Sequence, residues 1–179
     1  MTTIPLAVDA IHCLDTTLAK QTIASCQSTS GWANRSPDFD FAIDYPREAT
    51  DPRELSEIPE VRLWFVRLDA QVPYLPLLLD WKSGELGRYV AMLVPHQFHP
   101  TEGIQYNPEA LEIWVMHRVF TLHDWLASQG MEGRGRIKAM TQMLGYELED
   151  AFLTCSPRAV VGSAIATSGE LQGELGNRR

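Results

Sequence analysis

Residues 61–115, VRLWFVRLDAQVPYLPLLLDWKSGELGRYVAMLVPHQFHPTEGIQYNPEALEIWV, decide how this chain is read. Val61, Leu63 and Phe65 alternate with Arg62, Trp64, Val66 and Leu68, which predicts a strand over 61–69 covered on both faces. Pro73 and Pro76 cannot donate to a ladder, so 72–80 reads as an edge or bulged strand. Lys82-Ser83-Gly84 would close a turn, with Gly84 free to take a positive φ, and Glu85 to Val94 would return as the second arm. The result is a hairpin over about 72–94. Beyond a loop holding His96 and His99, Asn107-Pro108-Glu109 supplies a capping acceptor, a pre-set φ and a favourable charge, which starts a helix.

Working outward, Thr3 to Val8 is β-leaning, and Asp15 can cap a helix over 16–27. Residues 28–60 are rich in Ser, Pro and Asp and read as a long acidic loop with one helical turn near 52–58. Thr121 with Asp124 resembles a second cap, so 122–129 would be a new helix stopped by Gly130. A third helix is expected over 134–144, with Ile137, Met140, Met143 and Leu144 inward, and a short one over 147–153. The expected fold is α+β. Its small antiparallel-containing sheet, the hairpin plus strand 61–69, would pack against C-terminal helices as one domain over 1–155. Residues 156–179 carry few anchors and read as a disordered tail.

The chain has 179 residues, 45% of them apolar, and a net charge of -8. That charge opposes a nucleic-acid footprint, which needs clustered Lys and Arg. The acidity is local: residues 36–60 hold eight acids, among them Asp38, Asp40 and Asp44, against Arg47 and Arg53. Such a patch suits a basic partner. Cys13, Cys26 and Cys155 form no CxxC pair, so neither a disulfide framework nor a zinc ribbon is suggested. Apolar runs such as 75–79 are too short to span a bilayer, so no stable membrane insertion is expected. No signal or transit peptide is apparent, and a cytoplasmic location follows.

Catalytic grammar is sparse. No GxSxG elbow is present, and Gly133-Arg134-Gly135-Arg136 lacks the phosphate-loop spacing, although a helix start with two arginines could hold an anion. His96 and His99 have HxxH spacing, and Glu102 follows. This trio supports a competing reading as a metal-binding module or metal-dependent enzyme. Pro95 and Pro100 bracket the pair in a loop, without helical HExxH geometry. Trp81, beside the expected hairpin turn, has little core to cover it and is a candidate contact residue.

The pieces VRLWFVRLD, PYLPLLLDWKSGELGRYVAMLVPHQ and GIQYNPEALE resemble the chlororespiratory reduction 6 family of cyanobacteria and chloroplasts. A weaker match continues through TLHDWLASQG and MLGYELEDAF, so the resemblance spans about 58–153. It implies a non-enzymatic assembly factor that uses no cofactor. Its client would be the ferredoxin-like iron–sulfur subunit of the photosynthetic NAD(P)H dehydrogenase-like complex, joined to the peripheral arm before membrane attachment. The lack of a transit peptide suggests a cyanobacterial member. The resemblance defines no catalytic residues; Pro95, His96, Gln97, Gly103, Asn107, Pro108 and Glu109 match its pattern without assigned roles. A partner surface is expected from Trp81, Pro95, His96, Gln97, His99 and Tyr106 together with Asp38, Asp40 and Asp44.

Overall fold

A computed structural model describes residues 1–27, 38–99, 101 and 103–154. The chain divides into two units, Met1–Leu148 and Glu149–Arg179. The first contains β1 (Thr2–Ala7), α1 (Val8–His12), α2 (Thr17–Gln27), β2 (Phe39–Asp44), a 3-10 turn (Leu55–Glu57), α3 (Pro59–Gln71) and a second 3-10 turn (Leu75–Leu77). It continues with α4 (Glu85–Leu93), β3 (His96–His99), β4 (Gly103–Tyr106), α5 (Pro108–Ser128) and α6 (Arg134–Met143). The second unit holds α7 (Asp150–Thr154) among its described residues. The expected tail, 156–179, lies outside the described residues.

The fold is mostly helical, which corrects the expected hairpin-based sheet. Residues 61–69 lie within α3, whose buried residues Val61, Trp64, Phe65 and Leu68 fall at helical spacing. Pro59 at the first helical position and Glu60 in the first turn start it. The outward face carries exposed Leu63 and Val66, and these supplied the false impression of a two-faced strand. Residues 72–94 form no hairpin either. Val72 to Leu79 is a buried irregular segment, and the turn at 81–84 leads into α4, with Leu86, Tyr89, Val90 and Met92 buried. Gly84, at φ 87, is left-handed as expected, but it starts a helix.

The main sheet is parallel and two-stranded, β1 beside β2, in the register Thr2↔Phe39 to Ala7↔Asp44. β2 lies within the stretch expected to be loop; FDFAID alternates, with Phe39 and Phe41 buried. β3 and β4 make a separate antiparallel ribbon where a loop was expected. The helix expected over 122–129 is the second half of α5. Thr121 Oγ1 donates to the His117 carbonyl at 2.9 Å, back-bonding inside the helix and not capping a new one. The 134–144 expectation matches α6, except that Met143 is exposed.

Two sequence-read caps hold. The Thr17 amide donates to Asp15 Oδ1 at 2.9 Å, and the Ala110 amide donates to Asn107 Oδ1 at 3.1 Å. β2 rests on α3 through edge-to-face ring pairs, Phe41–Phe65 at 5.1 Å and Phe41–Trp64 at 6.0 Å, and Phe65–Tyr89 at 6.0 Å joins α3 to α4. Each such pair adds about 0.5–1.5 kcal/mol beyond burial. The Trp64 indole donates to the Asp15 carbonyl at 2.7 Å, fixing the start of α2 over this core.

Candidate functional site

Strand alternation aligns the acids of β2. Phe39 and Phe41 face the core, so Asp40, Ala42 and Asp44 face outward beside Thr3, Pro5 and Ala7 of β1. Asp38, just before the strand, is exposed and lies 3.7 Å from the N-terminal ammonium. Small neighbours leave this face flat and acidic. Asp40 Oδ1 is buried and has no hydrogen-bond partner among the described residues. Two of the acids further along are used locally. Asp51 pairs with Arg53, whose hydrogen bonds lower its carboxyl to about 2, and Glu57 accepts from the Glu54 amide at 2.7 Å.

The outer edge of β2 is closed. Leu78 C=O accepts from the Asp38 and Phe39 amides, and the Asp80 amide donates to Phe39 C=O at 2.7 Å. One residue pair on, side chains of α4 replace a strand. Glu85 Oε2 accepts from the Phe41 amide at 3.3 Å, and Arg88 donates to Phe41 C=O at 3.1 Å while pairing with Glu85. A blocked edge directs contact to the face.

Trp81 follows directly, so the structure brings its turn beside the start of β2. It is half-buried, and its indole N–H donates to Pro76 C=O at 2.7 Å, which leaves the ring rather than the N–H for a partner. Asp80 Oδ1 accepts from the Lys82 and Ser83 amides at 3.0 and 3.4 Å and shapes the turn. Pro95 is exposed just beyond the other end of α4. There β3 pairs His96 with Tyr106, Gln97 with Gln105 and His99 with Gly103. The side chains of His96, Gln97, His99 and Tyr106, and all of Glu102 and Cys155, lie outside the described residues. Among the described residues no group of three His, Cys, Asp or Glu is placed to hold a metal ion.

Sequence reasoning missed a buried polar centre between α3, α4 and α5. Arg118, 3% exposed, donates to Asp69 Oδ2 at 2.5 Å and to Pro73 C=O at 2.9 Å. Tyr89 donates to Asp69 Oδ1 at 2.7 Å. Burial, then the Asp69 carboxylate, pushes the Tyr89 phenol well above its ordinary range, so it holds its proton and cannot serve as a base at neutral pH. The signal available was Arg118 itself, a cation on the inward face of a helix. These groups bond to one another inside the core and tie three helices together, while Arg118 Nε is buried and has no hydrogen-bond partner among the described residues. A cavity of about 210 Å³ lies elsewhere, lined by His123, Glu132 and Arg134 with Leu126, Ala127, Met131, Gly133 and Ile137.

The sequence profile of the chlororespiratory reduction 6 family matches residues 6–155. No solved structure matches the chain.

Proposed function

We propose a function that starts from membership: this chain belongs to the chlororespiratory reduction 6 family. That family consists of assembly factors of the NAD(P)H dehydrogenase-like complex. In our reading the chain acts without catalysis, by binding and releasing the ferredoxin-like iron–sulfur subunit of the peripheral arm before membrane attachment in the cytoplasm. Among the described residues, no helix is long and apolar enough to cross a membrane.

One observation carries the assignment of the surface: Asp40 and Asp44 are aligned on the open face of β2, with Asp38 at its start and the Trp81 turn at its edge. A flat acidic platform on a braced strand favours a basic client patch and a fast, salt-sensitive encounter. An interface of roughly 1,000–1,600 Å² suits a partner that must later be released. The β3–β4 ribbon, with Pro95, His96, Gln97, His99 and Tyr106, would give a second point of contact. Co-purification of the client from native cells with wild type, but not with Asp38→Lys/Asp40→Lys/Asp44→Lys, supports this surface. Equal recovery with a folded triple variant removes it.

A further inference from the structure

We propose that the outward face of α3 is a docking surface, separate from β2, whose occupant is a second copy of this chain bound antiparallel about a two-fold axis. On one flank of α3, Arg62 donates to the Met92 and Val94 carbonyls at 3.3 and 3.1 Å. On the other flank, Trp64 donates to the Asp15 carbonyl at 2.7 Å. Between these anchored flanks runs a stripe of Pro59, Glu60, Leu63, Val66, Arg67 and Ala70, all exposed and at helical spacing. Leu63 is 55% exposed and Val66 47%. A surface helix ordinarily pairs an apolar stripe with a polar one; here both sides carry large apolar groups, since Val61, Trp64, Phe65 and Leu68 fill the core side. An exposed apolar centre between polar ends marks a contact surface.

The order of charge along the stripe selects the occupant. Glu60 precedes the apolar centre and Arg67 follows it, about 10 Å further along the axis. An antiparallel second copy sets Glu60 against Arg67 at both ends, with Leu63 and Val66 of the two copies between them. A parallel crossing sets like charges together. Both charged residues have neighbours within their own chain, so the partner is selected by the sign of each end. Glu60 is within electrostatic reach of Arg53, which is itself closed on Asp51 at 2.7 Å. Residues 47–60 hold five acids against Arg47 and Arg53, so this end stays acidic. Asp15 lies within electrostatic reach of Arg67 and also of Lys20, two cations against one acid, so the other end stays basic. One helix stripe falls short of the roughly 1,200 Å² of a standard interface, so the dimer is weak, with a Kd of about 10–100 µM. The proposal is independent of which client the β2 face takes.

The test is sedimentation equilibrium of the full-length chain from about 1 µM to about 1 mM, which brackets that Kd. Wild type should dimerise reversibly, and the dimer should weaken about threefold or more when salt rises from about 0.05 M to about 0.5 M. Leu63→Ser/Val66→Ser should weaken it roughly tenfold or more. Glu60→Arg alone and Arg67→Glu alone should each weaken it about tenfold, because each sets like charges together at both ends. An equimolar mixture of these two variants should form a mixed dimer within about threefold of wild-type affinity, since every facing pair is again of opposite sign. Circular dichroism confirms that each variant is folded. Three results would overturn the proposal. The first is a wild-type chain that stays monomeric up to about 1 mM, including one whose position 63 photo-crosslinks to a different polypeptide. The second is a dimer that survives Leu63→Ser/Val66→Ser. The third is a mixture of folded Glu60→Arg and Arg67→Glu chains that associates no more tightly than either variant alone. None of these results bears on the β2 surface.

Discussion

Arg118 of α5 and Asp69 of α3 are 49 positions apart in sequence and meet at 2.5 Å inside the core. Three helices converge on this pair, because the same carboxylate takes the Tyr89 hydroxyl of α4. The scaffold that presents the candidate surface is therefore organised around one buried charge pair.

Removing one partner should cost more than removing both. Arg118→Met leaves the Asp69 carboxylate without its counter-charge, held only by the Tyr89 hydroxyl, and should cost about 3–5 kcal/mol. Arg118→Met/Asp69→Leu should recover much of that loss, since an apolar replacement of a buried pair is often neutral. Urea unfolding of the two single variants and the double variant checks the coupling, which should exceed about 1 kcal/mol.

The same centre sets an alkaline limit. The Tyr89 phenol is raised in the folded state, above its ordinary 10. Its contribution is therefore complete below pH 10 and is lost as pH climbs above it, where only unfolded chains release the proton. Stability should fall there by up to about 1.4 kcal/mol per pH unit for this group. Tyr89→Phe should flatten that fall relative to wild type while costing about 1 kcal/mol at neutral pH. Denaturation series at pH 8 to 11.5 measure both effects.

Glu85 is 8% exposed and accepts from an edge amide of β2. Glu85→Ala leaves the Phe41 N–H without that acceptor and should cost about 1–3 kcal/mol. Glu85→Gln keeps an acceptor and should cost less. Hydrogen exchange at the Phe41 amide should accelerate in the Ala variant and much less in the Gln variant.

Asn107→Ala removes the acceptor for the Ala110 amide and should lower stability by about 1 kcal/mol, while Asn107→Asp should preserve it. Thermal unfolding of both variants checks this.

What could be read from the sequence was local. The Asn107 and Asp15 caps and the ends of α6 depend on neighbouring residues, and they matched. α3 was misread because exposed Leu63 and Val66 imitate the second face of a strand, although Val61, Trp64, Phe65 and Leu68 already kept the helical period. β2 was hidden by the Ser, Pro and Asp around FDFAID, whose period-2 pattern was the better guide. The acids named as partner residues were read as part of a loop; the strand gives Asp40 and Asp44 a common face that composition alone does not specify. Arg118 and Asp69 belong to a long-range pairing, for which no spacing rule exists.

The most direct measurement is a titration of this protein with the purified ferredoxin-like iron–sulfur subunit at two salt concentrations. Wild type should bind more weakly at the higher salt, and Asp38→Lys/Asp40→Lys/Asp44→Lys should lose roughly tenfold or more in affinity while melting like wild type. Affinity unchanged by the triple charge reversal and by salt would contradict the account.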